Sequence, residues 1–471
     1  MLKIEDILAS TGGRIVSDGS SYADGYGFSG VSIDSRTIED GELFIAIKGE
    51  KFDGHDFISA ALQKCGGAIA DSEEKIRGIG DFNKPLILVQ DTLSALHDIA
   101  AYLRRRFEGQ VIAVIGSNGK TTTKELLAAI MATKYSIVKT GGNFNNNIGM
   151  PLSMINGLSL EETPDVMVLE MGTNRPGDIM ELCEIGTPDI GVITNIGYEH
   201  LEGFGSLNGV RDSELEILPF IKKAVVNMDD TFLMQGVTGA FNGSIVSFGI
   251  NSDNADVTAK NIKSSISGLS FELCVSGQSI EIRSGLSGYF NVYNCLAAAA
   301  AAYLCGIGLQ DVKKGIESFG GVDMRFQVRE AEGAVFIYDV YNANPSSMEE
   351  SLKDLSRLFK SGGGKYRRAV AALGDMLELG DYAVEAHRRL GRMLSEGGVD
   401  LFVAVGALMS HAINEFKGVS VYFKDSQKAA DAINGLINKG DIVLIKGSRG
   451  MKMERIMEAV TSGIAVAAVE E

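Results

Sequence analysis

The run VIAVIGSNGKTTT, Val111 to Thr123, constrains the fold more than any other stretch of this chain. An apolar, β-branched segment breaks at Gly116 and resumes after the loop as the helix-like KELLAAIMATKY. A buried strand, a glycine loop and a helix in that order make a phosphate cradle. The glycines let successive N–H groups converge on anionic oxygens, and the helix adds the positive end of its dipole. Gly116, Ser117, Asn118, Gly119, Lys120, Thr121 and Thr122 are therefore nucleotide-binding candidates, with Lys120 as a point charge and the Thr121 hydroxyl as a ligand for Mg²⁺. A full Walker A loop has a glycine where this chain has Val114, so the loop is the shorter GxxGKT form. Nucleotide binding is expected, but not an ordinary P-loop ATPase or GTPase.

From Val111 onward, strand-like runs (VIAVIG, DVMVLEMG, IGVITNIG, AVVNMDD, SIVSFG) alternate with helix-like segments. That alternation predicts a parallel sheet covered on both faces, with ligands at the carboxyl ends of its strands. A second series, AVFIYDVYNANP, RRAVAALGDM, LFVAVG and DIVLIKGSRG, predicts a further α/β domain, while residues before the loop mix short strands and helices. The 471 residues suffice for about three domains of ordinary size. The boundaries read as 1–108, 109–321 and 322–471, with short hinges near 108 and 321. A net charge of −17 excludes a general nucleic-acid binder, because phosphate backbones need clustered Lys and Arg. Five cysteines without CxxC pairing suggest neither a zinc site nor a disulfide framework, and so a reducing cytoplasm. The start MLKIEDIL is charged and amphipathic, and the longest apolar stretch is too short to span a bilayer, so no membrane insertion is expected.

Each central strand ends in polar residues. Glu170 follows VMVL and His200 lies in TNIGYEHLEGFG, so a carboxylate and an imidazole are expected to meet Thr121 around one or two Mg²⁺ ions. The loop TGGNFNNNIGMP, with Asn143, Asn145 and Asn146, is rich in amide hydrogen-bonding capacity and is expected to orient a polar substrate near the γ-phosphate. In the last domain, Arg325 would stabilise charge in phosphoryl transfer when brought over a triphosphate by domain closure. Tyr341, Asn342 and Asn344 follow a strand in DVYNANPS, and Lys446 and Arg449 in LIKGSRG add positive charge for an anionic substrate group.

These motifs together resemble the Mur ligase family, the ATP-dependent amide-forming enzymes of peptidoglycan precursor synthesis. GSNGKTTTKE, NFNNNIGMP, LEMG, TNIGYEHLEGFG, NVYN, YNANPSS, LGDMLELG and KGSRGMKME occur in the family's order over nearly the whole chain. The resemblance implies an α/β protein of three domains. A central parallel-sheet, P-loop-type ATPase domain is flanked by a small α/β N-terminal UDP-binding domain and a Rossmann-like α/β C-terminal domain. It also implies that Lys120 and Thr121 contact ATP and Mg²⁺, that Glu170 and His200 serve the metals, that Asn291 or Asn294 meets adenine, and that Arg325 and Asp339 reach the phosphates and ribose. Asp34, Ser35 and Arg36 match a DSR motif implied to touch the uridine end of the substrate. YNANP, LGDMLELG and HLEGFGS are most similar to the branch that joins D-alanyl-D-alanine to a UDP-N-acetylmuramoyl-tripeptide, and a monomer is expected. A neighbouring step that adds one amino acid and a non-catalytic nucleotide-binding partner protein are the alternatives. Two positions depart from the pattern. Glu214 stands where relatives carry a carbamylated lysine, so either its own carboxylate serves a metal, directly or through water, or that function is lost. Phe290 stands where many relatives have histidine, leaving a stacking role near adenine.

Overall fold

A computed structural model describes residues 1–17, 25–79, 83–158 and 163–467, with side chains to 461. The apolar run before the glycine loop is the strand Gln110–Ile115, buried from Val111 onward. It is third from one edge of a nine-stranded sheet, between the parallel strands Val166–Glu170 and Ile190–Ile193. Glu170 pairs with Val114 and Ile193 with Ile115, so the ends of all three strands come level at the glycine loop. Continuous burial is what a sheet covered on both faces demands of its strands. The helix Lys120–Met131 covers one face beside the helix Asn291–Leu304, whose run of alanines lets the two approach closely. Both helices begin at the same edge of the sheet, so their first turns face the same space.

Beyond Ser244–Gly249 the sheet differs from the parallel expectation. Val257–Ser265 continues it, and Gly268–Val275 and Gln278–Ser284 then turn back antiparallel. The second turn uses Ser276 and Gly277, both at positive φ (+49° and +77°), the backbone a tight hairpin requires. The period-two pattern of GLSFELCV followed by Ser-Gly was the available signal for this ribbon.

Two smaller sheets flank the central one. The first, within residues 14–88, has five strands, and the last, within 327–446, has six, of which all but Gln327–Ala331 run parallel. One hydrophobic cluster runs without interruption from Leu2, Ile4 and Phe28 to Val111, Met167 and Leu233, so the first and central sheets share a core. The last sheet is packed in two clusters of its own. The asparagine-rich loop ends earlier than its sequence suggested, because Asn146 Oδ1 accepts from the N–H groups of Ile148 (3.2 Å) and Gly149 (2.8 Å) and starts the helix Gly149–Leu158. Pro151 fits that first turn, where its missing N–H costs nothing. Among the described residues no helix is long and apolar enough to cross a membrane, and the five cysteines are unpaired.

Candidate active site

Gly116 and Gly119 both sit at positive φ (+113° and +83°), and neither could carry a side chain. A Cβ on Gly116 would lie 2.3 Å from Thr194 Oγ1, and one on Gly119 2.3 Å from Asn294 Oδ1. The loop is thus pressed against the next strand's end and against the start of the Asn291–Leu304 helix. Ser117 and Asn118 tie it to the 195–197 segment: Gly197 N–H donates to Ser117 Oγ at 2.8 Å, and Asn118 N–H to Asn195 Oδ1 at 3.1 Å. Asn294 donates to Asn291 Oδ1 (2.8 Å) and Asn291 to Ser287 O (2.7 Å), so both asparagines are buried in hydrogen-bonded positions behind the loop.

At the helix start, Thr121 Oγ1 donates to Glu170 Oε1 at 3.0 Å, and Asn145 Nδ2 donates to the same oxygen at 3.0 Å. The asparagine loop therefore does reach Glu170, through Asn145. Exposed Asn143 makes only a local turn, accepting from Asn145 N–H at 2.8 Å, and Asn146 is spent on its cap. The other Glu170 oxygen is buried without a hydrogen-bond partner. A hydroxyl beside a carboxylate whose second oxygen makes no hydrogen bond, although Lys124 Nζ stands 3.5 Å from it, fits Mg²⁺, which takes oxygen ligands and few of them from protein. Among the described residues no three His, Cys, Asp or Glu side chains converge as a ready metal cage.

Lys120 Nζ curls to Gly116 O (2.5 Å) and faces Glu199 Oε2 at 3.7 Å. Burial works against its charge, but Glu199, Glu214 and Glu170 outweigh burial and raise its pKa. Glu199 itself is raised by burial, with Lys120 opposing. Glu214 is fully buried behind the loop and is not on the cleft wall. Its Oε2 accepts from Gly116 N–H at 2.9 Å, its Oε1 has no partner, and burial pushes its pKa up to about 8. Its place beneath the loop, off the cleft wall, is the physical difficulty for the role anticipated for it.

The last domain closes the site from above. Arg325 Nη2 lies 3.3 Å from Thr121 Oγ1, its guanidinium sits 3.7 Å above the Tyr341 ring, and its Nε is buried without a partner. Asn344 Nδ2 donates to Asn118 Oδ1 at 2.9 Å, and Tyr198 N–H to Ser346 Oγ at 3.2 Å. Phe290 meets Phe326 edge to face with centroids 5.0 Å apart. Together these elements line a cavity of about 790 Å³ that contains the loop, Glu170, His200, Arg325 and Asp339.

Three anticipated residues of the last domain, Lys446, Asn342 and Arg449, are engaged within that domain. Lys446 does not reach into the cleft as a free cation: it is buried, with Nζ 2.6 Å from Asp339 Oδ2 and 3.0 Å from Asn342 O. Ser351 also donates to Asp339 Oδ2, at 2.9 Å. Asn342 Oδ1 accepts from Ala343 N–H, and Arg449 pairs with Glu454 at 3.2 Å. Asp34, Ser35 and Arg36 lie in the first sheet's loops and not on the cavity wall. Arg36 grips Asp34 at 2.9 and 2.6 Å and holds its carboxyl down at about 2, while Ser35 O accepts from Lys64 at 3.1 Å. Thr122 is buried at the cavity rim. Sequence reasoning missed Lys124, which is fully buried and donates to Thr140 O (2.8 Å) and Gly142 O (3.0 Å) beside Glu170 (3.5 Å). Its spacing of four from Lys120 put it on the same helix face. Glu199, next to His200, was legible in the same way.

Three family descriptions match the chain: the Mur ligase family catalytic domain at residues 27–104, the Mur ligase middle domain at 114–302, and the Mur ligase glutamate ligase domain at 324–449. The UDP-N-acetylmuramoyl-tripeptide–D-alanyl-D-alanine ligase of Bacillus subtilis (strain 168) is 35% identical over 437 residues, covering 91% of this chain and 92% of that protein. The enzyme of the same name from Escherichia coli (strain K12) is 34% identical over 438 residues, covering 91% and 93%. Among solved structures, MurF from Acinetobacter baumannii superposes with a TM-score of 0.86 at 30% identity, covering 98% of this chain and 99% of that one. The MurF ligase of Thermotoga maritima in complex with ADP gives 0.78 at 30% identity, covering 92% and 96%. With the glycine loop, the Glu170 carboxylate and the Arg325 contact all found inside the matched segments, the chain belongs to the Mur ligase family.

Proposed function

We propose that this chain is the ATP-dependent ligase that joins D-alanyl-D-alanine to a UDP-N-acetylmuramoyl-tripeptide, giving the pentapeptide, ADP and phosphate. The whole-length similarity to relatives bearing that name supports the substrates. The observation that carries the chemistry is the chain Arg325–Thr121–Glu170, in which a cation from the last domain is hydrogen-bonded to the hydroxyl at the end of the phosphate loop. The tripeptide carboxylate attacks the γ-phosphorus in line and ADP leaves, forming an acyl phosphate. The dipeptide amine then attacks the acyl carbon, and phosphate departs from the tetrahedral intermediate. The protein's part is positioning and charge neutralisation. Lys120 and the loop N–H groups hold the phosphates, and Arg325, stacked on Tyr341, meets charge building on the γ-phosphoryl oxygens. Thr121 and Glu170 would hold Mg²⁺, with His200 at the same cleft, and the metal would neutralise phosphate charge. In this reading Asn291 or Asn294 serves the adenine, Asp339, paired with Lys446, serves the ribose, and Asp34, Ser35 and Arg36 take the uridine end. Closure of the last domain keeps water from the acyl phosphate.

The domains of this reading are 1–108 for the UDP-substrate, 109–321 for ATP and 322–471 for the ligase step, in a cytoplasmic monomer. The test is phosphate release from ATP with mass detection of product. UDP-N-acetylmuramoyl tripeptides plus D-alanyl-D-alanine are compared with the dipeptide precursor plus single amino acids. A pentapeptide is the expected product. A tripeptide product moves the chain to the neighbouring step, and no product in any combination refutes the ligase reading.

A further inference from the structure

The loop carrying His200 is held from the last domain at a second place, away from Arg325. His200 Nδ1 lies 2.6 Å from Glu378 Oε2, and the Glu378 carbonyl accepts from Glu202 N–H at 3.3 Å. Tyr198 and Tyr382 stack beside them with ring centroids 5.0 Å apart and planes 21° from parallel. Two further features single out this contact. His200 and Glu378 are both non-glycine residues in the left-handed region, at φ +44° and +63°. Such positions persist only where the surroundings over-determine them, and they gather at functional sites. The Glu378 side chain is also 60% exposed, so the packing of a core does not account for its placement.

The pairing has a chemical consequence. A carboxylate oxygen only accepts hydrogen bonds, so a neutral imidazole whose Nδ1 faces it carries its proton on Nδ1. Nε2 is then the unprotonated nitrogen, on the side of Glu199 Oε2 at 4.0 Å and the cavity. Remove the carboxylate and the ring is free to rotate and to take the other tautomer. Because Glu378 lies in the loop after the strand Arg368–Gly374 of the last sheet, this partner is supplied by the last domain.

We propose that Glu378 is a positioning residue: on closure of the last domain its carboxylate fixes the His200 imidazole with Nε2 bare toward the cleft, so the site is completed only in the closed molecule. This rests on the reading of that cleft as the ATP site. A histidine that ligates a metal gains orientation from such an outer acceptor, and loss of the acceptor typically costs about 10- to 100-fold in activity or metal affinity.

Glu378→Ala and Glu378→Gln are compared in the full chain. The Gln amide oxygen can still accept from Nδ1–H. Nitrogen NMR of ¹⁵N-histidine protein at about pH 8, where an ordinary imidazole is neutral, reads the tautomer without substrate or metal. His200→Gln assigns its signals among the five histidines. The expected result is an Nδ1–H imidazole in wild type and Glu378→Gln, and a shift toward Nε2–H in Glu378→Ala. In turnover, kcat falls about 10- to 100-fold for Ala with KM for ATP within about twofold, and Gln restores most of it. Unchanged His200 signals in Glu378→Ala, wild-type kcat in that variant, or equal damage by Gln and Ala would each overturn the proposal. Wild type that makes no pentapeptide yet shows the tautomer change would sink the functional reading and leave the positioning of the ring intact.

Discussion

Glu214→Gln separates two accounts of the carboxyl beneath the phosphate loop. The side chain is fully buried, with one oxygen held by Gly116 N–H at 2.9 Å and the other without a partner. Burial lifts its pKa from an ordinary 4.5 to about 8, aided by Glu199 and opposed by Lys120. An acid whose pKa is higher folded than unfolded binds its proton more tightly in the native state. Its contribution to stability is complete below the unfolded pKa and is lost as pH rises toward the folded one. Each unit of difference is worth about 1.4 kcal/mol, and the value of about 8 already includes the attraction to Lys120, so wild type should lose about 3–4 kcal/mol between about pH 5 and pH 8 from this group. Gln cannot ionise. Its NH₂ on the unpartnered side adds a fixed cost of about 1–3 kcal/mol that does not vary with pH. The stability of Glu214→Gln relative to wild type should therefore climb with pH across that window, whatever its offset. Urea unfolding of nucleotide-free protein at four pH values, followed by a probe in the central domain, measures the climb. Parallel curves for the two proteins would refute the argument, because they mean the carboxyl is already ionised in the fold. Turnover and Mg²⁺ dependence near pH 7 should also stay within about threefold of wild type, since Gln imitates the neutral acid.

Two further substitutions test the cleft. Gly119→Ala combines a left-handed alanine, about 1–2 kcal/mol, with displacement of Asn294 from its bonds to Asn291 and Thr123, about 1 kcal/mol each. Calorimetry with an ATP analogue should show affinity weakened by at least about 10-fold, and wild-type affinity would refute the packing argument. Arg325→Ala should lower kcat by about 10³-fold while KM for ATP changes little, and Arg325→Lys should not rescue it, because a point charge cannot both lie on Tyr341 and reach Thr121. Single-turnover acyl-phosphate formation checks this, and an active Lys variant would show that charge alone suffices.

The parallel core and the nucleotide loop were legible because each is local: a buried strand, two glycines and a helix follow one another in the chain. Arg325 was legible for another reason, since charge developing on a triphosphate calls for a cation and only a few lie near a strand end of the last domain. Lys446 met the same criterion and serves differently, because Asp339 lies on the neighbouring strand in register with it. Strand pairing between residues 107 positions apart decides which lysine is free, and no local pattern carries that. The antiparallel ribbon after Val257 had its period-two signal, but it follows a parallel series whose rhythm masked it.

Glu378 was legible only as a letter in LGDMLELG, and the reason lies in how the domains are joined. The first and central sheets share one continuous hydrophobic core, so their relative placement is fixed by burial, the dominant favourable term in folding. The last sheet has clusters of its own, touched from the central domain by Ile266 and Phe290, and it meets the cleft through hydrogen bonds (Arg325 to Thr121, Asn344 to Asn118, Tyr198 to Ser346, His200 to Glu378) and a few ring contacts. Each such bond contributes only about 0.5–1.5 kcal/mol net, or somewhat more where a charge takes part. Together with the Tyr198–Tyr382 stack, the Phe290–Phe326 contact and Arg357 over Tyr289, they make an interface built of many small terms rather than one shared core. A ligase that must shield an acyl phosphate and then release a large product requires an interface of that kind, strong in sum and weak in each part.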